Sequence, residues 1–125
     1  MLKVIVCGAV GRMGRRIVAC AAEDKDMQIV GAVDAKGHAD LGKDIGELAG
    51  IGRIGVAVND DLTAVIRGAD VVIDFSFHEA TPKVVETAAA HNVPVAVGTT
   101  GLNKAELEAV RAHARKIAVL VAPNM

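Results

Sequence analysis

The opening stretch, Met1 to Gly14, constrains the fold more than any other part of the chain, because it combines a strand, a tight turn and the start of a helix. Leu2 to Cys7 is almost wholly apolar, and an amphipathic stretch begins at Arg12. Three glycines follow the strand at even spacing: Gly8, Gly11 and Gly14. Glycines at such a turn permit unusual backbone angles, close approach to a phosphate and tight helix packing. The stretch therefore predicts a βα unit with an anion site at the helix N-terminus.

The glycine spacing is one residue longer in the turn than the commonest dinucleotide-binding fingerprint. A glycine-rich turn that binds nothing is the alternative interpretation. The position between an N-terminal strand and a helix favours nucleotide binding.

An acidic residue at the end of the second predicted strand extends the same interpretation. Met27 to Val33 predicts that strand, and Asp34 follows it, twenty positions after Gly14. A dinucleotide-binding unit keeps an acidic residue there to accept hydrogen bonds from the adenosine ribose. The alternative is a helix cap or a solvated turn residue.

The residues after Asp34 bear on the choice of cofactor. A carboxylate repels a 2′-phosphate unless a cation offsets it. Ala35 follows directly, and Lys36 is either a phosphate contact or an ordinary exposed lysine. We therefore predict that NADH is favoured and NADPH tolerated.

Further polar or glycine-containing segments follow two later predicted strands. Val71 to Ile73 precedes Asp74, Phe75 and Ser76, and Val93 to Val97 precedes the loop Gly98 to Gly101. Since carboxyl ends of parallel strands face the ligand crevice, Phe75 is predicted to form a wall of the cofactor site. The alternative is that Phe75 or Phe77 fills the core. Thr99 and Thr100 predict a hydrogen-bonding loop, with a polar connector as the alternative.

Sequence signals for helices lie between the predicted strands. Thr81 before Pro82 predicts an N-cap, and Asn103 with Glu106 predicts a capping box. The first helix is expected to bury an apolar face at helical spacing, comprising Met13, Ile17, Val18 and Ala21. The glycine-rich stretch 37–55 is expected to be functional or mobile, as loops of that length usually are.

Composition supports one α/β domain. The chain has 125 residues, 52% of them hydrophobic, with two Phe and neither Trp nor Tyr. Small branched side chains suit a buried parallel sheet. We predict a Rossmann-type doubly wound parallel sheet, with the first strand central and an exposed edge after the last strand.

Charge and residue spacing exclude several classes. A net charge of −1 provides no basic field for nucleic acid. Apolar runs fall short of the roughly 18 residues of a membrane span, and no signal peptide is recognisable. The cysteines and histidines lack metal-ligand spacing, so no metal site is predicted, and Cys7 and Cys20 are expected to be buried apolar residues.

Five motifs together resemble the N-terminal half of the 4-hydroxy-tetrahydrodipicolinate (dihydrodipicolinate) reductase family. They occur in the order GAVGRMG at 8–14, GELAG at 46–50, DFS at 74–76, GTTG at 98–101 and APN at 122–124. That family reduces 4-hydroxy-tetrahydrodipicolinate to tetrahydrodipicolinate in lysine and diaminopimelate biosynthesis. Two alternatives are a stand-alone NAD(H)-binding sensor and the cofactor domain of an aspartate or homoserine dehydrogenase.

The resemblance assigns roles to individual positions. The pyrophosphate would contact Gly8, Ala9, Val10, Gly11, Arg12 and Met13. The adenosine ribose would contact Asp34, the nicotinamide ribose Gly98, Thr99 and Thr100, and the carboxamide Ala122, Pro123, Asn124 and Met125. Family members often carry Arg after the acidic residue, whereas this chain has Ala35, which weakens the case for NADPH.

The resemblance also implies what lies elsewhere. Residues 1–125 would form the NAD(P)-binding domain, without the second domain that carries the family's His-His-x-x-Lys segment and tetramer interface. We therefore predict no catalytic residue in this chain and little reductase activity from it alone. The full-length protein is expected to be a cytoplasmic homotetramer that acts on a cyclic dicarboxylate.

Overall fold

The computed structural model describes residues 1–121. Six strands occur in this range: β1 (Leu2–Cys7), β2 (Met27–Val33), β3 (Val58–Asn59), β4 (Val71–Asp74), β5 (Val95–Val97) and β6 (Val119–Val121). They alternate with helices α1 (Arg12–Glu23), α2 (Ile45–Leu48), α3 (Leu62–Val65), α4 (Thr81–Ala90) and α5 (Lys104–Ala112).

The strands form one parallel sheet in the order β3-β2-β1-β4-β5-β6. The chain leaves β1 towards β2 on one side and later returns to β4 on the other. Ligands of open α/β sheets bind where the strand order reverses, outside the carboxyl ends of the strands. The prediction of a Rossmann-type sheet with a central first strand is therefore confirmed.

Helices cover both faces of the sheet. Alternate residues of β1 point to opposite faces, so they contribute to two separate cores. Val4 and Val6 belong to a core that includes Val18 of α1 and Ile45 of α2. Ile5 belongs to the second core, shared with buried residues of α4 and α5. Both cores consist largely of Val, Ile and Ala, as the composition predicts.

Strand β6 forms the far edge of the sheet, as predicted, and leaves Leu120 63% exposed. A shallow hollow of about 260 Å³ lies beside it, lined mainly by apolar residues of β4, β5 and β6. Within residues 1–121, every helix is too short or too polar to span a bilayer.

Two expectations about buried residues are wrong. Met13 is 39% exposed, and the buried face of α1 is formed by Gly14, Val18 and Ala21. The helix packs so closely against the turn that glycine occupies the contact. Cys20 is also exposed, one position from that face, whereas Cys7 is buried as predicted.

The start of α4 also differs from the prediction. Thr81 is the first residue of the helix, and Ala80 is the N-cap. The Thr81 hydroxyl donates instead to Oδ2 of Asp74, at 2.7 Å. The predicted capping box of α5 is confirmed: Asn103 accepts from the Glu106 N–H, and the Glu106 carboxylate accepts from the Asn103 N–H.

The glycine-rich stretch 37–55 folds around one carboxylate. Asp44 caps α2 and accepts hydrogen bonds from five backbone N–H groups, those of Gly46, Glu47, Ile54, Gly55 and Val56. These bonds hold the start of α2 against residues 54–56. They lower the pKa of Asp44 below its ordinary value, with the bond from Ile54 first among the causes.

Candidate nucleotide-binding site

The glycine turn after β1 is held close to the end of β4. Gly8 has a φ of 74°, and a Cβ there would lie 2.5 Å from the carbonyl carbon and oxygen of Phe75. A Cβ at Gly14 would collide with the backbone of Gly8 and Ala9. Two of the three predicted glycines are therefore required by backbone packing.

Gly11 is different. It is exposed, has a φ of −66°, and a Cβ there would meet the Gly8 oxygen at 3.3 Å, a tight but not prohibitive contact. It is the N-cap of α1, and no side chain in the described part of the chain caps that helix. The first N–H groups and the positive end of the helix dipole are therefore available to an anion.

Asp34 is fixed against this turn. Its Oδ2 accepts a hydrogen bond from the Val10 N–H at 2.9 Å, and its Oδ1 accepts from the Ala35 N–H at 2.8 Å. The N–H groups of Gly8 and Ala9 donate to the Val33 carbonyl, at 2.8 and 3.2 Å. The end of β2 and the glycine turn therefore form one hydrogen-bonded unit.

A cleft of about 800 Å³ opens beside this unit. Charged side chains of both signs line it: Asp34, Asp60, Asp61, Lys36 and Lys83. Ser76 and Phe77, the latter 59% exposed, also line it, together with residues of α3 and α4. The space lies outside the carboxyl ends of the strands, where such sheets bind ligands.

Cys7 lies at the floor of the cleft. Burial raises its pKa well above the ordinary value, and the Asp74 and Asp34 carboxylates add to that rise. The thiol therefore stays protonated near neutral pH, and we assign it a packing role.

Phe75 connects the glycine turn with the loop after β5. Its N–H donates to the Cys7 carbonyl at 3.0 Å, and its carbonyl lies beside Gly8. Its ring lies against Gly98, where any Cβ would overlap the ring atoms. Phe75 thus reaches both segments, and its ring fills the space at Gly98.

Of the predicted site residues that the structure describes, Gly8 and Asp34 line the cleft. Phe75 contacts both the turn and the loop after β5, but neither Phe75 nor that loop lines the cleft. In that loop Gly98 and Thr99 are buried, while Thr100 is exposed. Arg12 and Met13 are exposed at the start of α1. The four predicted carboxamide contacts, Ala122, Pro123, Asn124 and Met125, lie outside the described residues.

Sequence reasoning missed the central role of Asp74. This carboxylate is fully buried and accepts hydrogen bonds from Ser76, Thr81 and Thr99, three residues in separate segments. The sequence signal that could have identified this role is an aspartate at the end of an apolar strand, since a buried carboxylate requires hydrogen-bond partners.

A second polar link joins the segment after β4 to α5. Nδ1 of His78 lies 2.9 Å from Oε1 of Glu106, and the same carboxylate accepts from the Asn103 N–H. Hydrogen bonding by Asn103, and then by His78, lowers the pKa of Glu106.

Comparison with known proteins gives the family. Residues 2–125 match the family described as "Dihydrodipicolinate reductase, N-terminus". The chain belongs to this family.

Among relatives, the 4-hydroxy-tetrahydrodipicolinate reductase of Syntrophus aciditrophicus is 43% identical over the whole chain, which covers 47% of that protein. The reductase of Anaeromyxobacter sp. is 46% identical over the whole chain, which covers 46% of that protein. The chain therefore spans about half the length of the reductases it matches.

A solved structure of this reductase family agrees in fold. The dipicolinate-bound dihydrodipicolinate reductase from Paenisporosarcina sp. TG-14 superposes with a TM-score of 0.77 at 25% identity, covering 99% of this chain and 48% of that one. Membership of the reductase family favours the first interpretation of the sequence over the sensor and over the aspartate or homoserine dehydrogenase.

Proposed function

We propose that residues 1–125 form the NAD(P)H-binding domain of a 4-hydroxy-tetrahydrodipicolinate reductase. One observation carries the proposal: Asp34 is hydrogen-bonded to the glycine turn, beside an uncapped helix N-terminus and a cleft of about 800 Å³. A carboxylate next to an anion site matches the ribose and pyrophosphate of a dinucleotide.

In this proposal each end of the cofactor meets a different segment. The N–H groups of Gly8, Ala9, Val10 and Gly11 are bonded within the protein, so within residues 8–13 those of Arg12 and Met13 at the start of α1 bind the pyrophosphate. Asp34 accepts from the adenosine ribose. Gly98, Thr99 and Thr100 contact the nicotinamide ribose, and residues 122–125 contact the carboxamide. When bound, the cofactor supplies the hydride for the reduction.

The charges of the cleft favour NADH. Three carboxylates, Asp34, Asp60 and Asp61, line the cleft together with two lysines, Lys36 and Lys83. A dianionic phosphate close to these carboxylates is disfavoured by repulsion, and the lysines offset part of that cost. NADPH is therefore expected to bind more weakly than NADH.

The substrate and the assembly concern the whole protein. The cyclic dicarboxylate is proposed to bind between this domain and polypeptide beyond residue 125, which also supplies the acid–base group and the tetramer contacts. The chain alone is therefore expected to bind nucleotide and to show little turnover.

Isothermal titration calorimetry of the folded chain with NADH, then with NADPH, tests the proposal, since the chain has no Trp to report binding. Micromolar binding of NADH, tighter than that of NADPH, is expected. Gly11→Glu is the matched variant: its backbone angle suits a side chain, but the carboxylate would occupy the anion site. Two results would contradict the proposal: a folded chain that does not bind NADH, or NADH binding that Gly11→Glu leaves unchanged.

A further inference from the structure

The Asp74 carboxylate joins the two sides of the candidate site. Oδ1 accepts hydrogen bonds from the N–H, at 3.1 Å, and the hydroxyl of Ser76, which lines the cleft. Oδ2 accepts from the Thr81 hydroxyl at 2.7 Å and from the Thr99 hydroxyl at 3.2 Å. One side chain thus holds the segment after β4, the start of α4 and the loop after β5.

The backbone strengthens the same link. The Asp74 carbonyl accepts from the Gly98 N–H at 2.8 Å, and the Thr99 hydroxyl also lies 3.4 Å from it. Gly98 packs so closely against the Phe75 ring that a Cβ at this position would overlap the ring atoms. The position of the loop 98–101 is therefore defined by Asp74 and its neighbour Phe75.

A structural role alone does not account for a charged group at this place. Asp74 and Thr99 are both buried, and the ordinary occupants of this sheet are Val, Ile and Ala. Burying a carboxylate costs free energy unless several donors surround it, and here all the donors come from segments that flank the cleft or the loop after β5. The network fixes loop geometry at the strand ends, where the cofactor is proposed to lie.

We propose that Asp74 is a positioning residue, which holds Gly98 to Thr100 in the geometry that the nicotinamide half of the cofactor requires. It touches neither cofactor nor substrate in this role and acts through the hydroxyl of Thr99. The inference rests on the proposed function.

Two ligands separate this role from general stability. ADP contains the adenosine and the pyrophosphate but lacks the second ribose and the nicotinamide, whereas NADH contains the whole cofactor. Asp74→Asn keeps the shape of the side chain but replaces one acceptor oxygen by a donor. Thr99→Val removes the hydroxyl at the loop, and Thr81→Val removes a hydroxyl from the same carboxylate on the α4 side.

The experiment measures dissociation constants for both ligands by calorimetry, with thermal unfolding of each variant. Asp74→Asn and Thr99→Val are expected to weaken NADH binding about tenfold more than ADP binding, the effect of about one hydrogen bond. Thr81→Val is expected to leave the ratio of the two constants unchanged.

Each result has one meaning. If Asp74 has only a structural role, Asp74→Asn weakens the binding of both ligands equally, in proportion to the lost stability. That result would overturn the inference. If Asp74→Asn fails to fold, Thr99→Val decides by the same ratio. If the wild-type protein binds both ADP and NADH and no variant changes the ratio of the two constants, this inference alone is overturned. A folded wild-type protein that binds neither ligand overturns the proposed function as well.

Discussion

The N–H of Val10 donates a hydrogen bond to Oδ2 of Asp34 across 2.9 Å, joining residues 24 positions apart. The bond holds a carboxylate at the mouth of the glycine turn through the protein's own backbone. A site that is organised in advance loses less conformational entropy on binding. The predictions below begin with this pair.

Asp34→Ala is expected to weaken NADH binding by about tenfold to a hundredfold, because hydrogen bonds from the ribose to a charged acceptor are lost. NADPH binding is expected to fall less, since a repulsive charge also disappears. Calorimetry with both cofactors measures the change. Asp60→Ala is the matched control, as it removes the same charge from the same cleft. Equal losses of NADH binding in both variants would contradict the ribose role.

Gly8→Ala is expected to destabilise the domain more than Gly37→Ala. Both residues have a positive φ, 74° and 78°, which costs about 1 kcal/mol for alanine. Only at Gly8 does the added Cβ meet backbone, at Phe75 and Ser76, which adds a further ~1–3 kcal/mol. Urea unfolding measures both free energies, and equal values would show that the turn can move away from β4.

Asp44→Asn is expected to lower the free energy of unfolding at neutral pH, because the carboxylate accepts from five N–H groups. The pKa of Asp44 is lowered from 3.8 in the folded state, so its contribution is present above pH 3.8. That contribution is lost as the pH falls through the folded-state pKa, so wild type and variant should converge in acid.

Asp24→Asn is the control for Asp44, since Asp24 accepts one backbone hydrogen bond, from the Asp26 N–H. Urea unfolding between pH 2 and pH 7, an experimental range of about five units chosen to span the ordinary carboxyl pKa, follows both variants. A difference between wild type and Asp44→Asn that stays constant across this range would contradict the assignment.

Glu106→Ala is expected to loosen the start of α5, because it removes the capping box and the contact with His78 together. Faster amide hydrogen exchange is expected at residues 103–106, with a lower melting temperature. Glu108→Ala, an exposed glutamate of the same helix, is the control. Unchanged exchange in Glu106→Ala would show that packing alone holds the helix start.

Much of the fold followed from local patterns. The glycine turn, the apolar runs of β1, β2 and β4 and the capping box of α5 were predicted because each depends on neighbours within a few positions. The short strand β3 has only two residues, and its pairing with β2 rather than a local pattern defines it. Thr81 was misassigned because its hydroxyl has two competing partners, its own helix and Asp74.

The sequence by itself determined that this chain forms a parallel α/β sheet with a glycine turn after β1 and an acidic residue after β2, because periodicity and spacing are local properties. The tertiary structure alone decided which residues the sheet brings together. Thr81 and Thr99 lie 7 and 25 positions from Asp74, whose carboxylate they share, and no local pattern encodes such contacts. The parallel pairing of β4 with β5 brings Thr99 to the end of β4, and the packing of α4 against β4 brings Thr81 there.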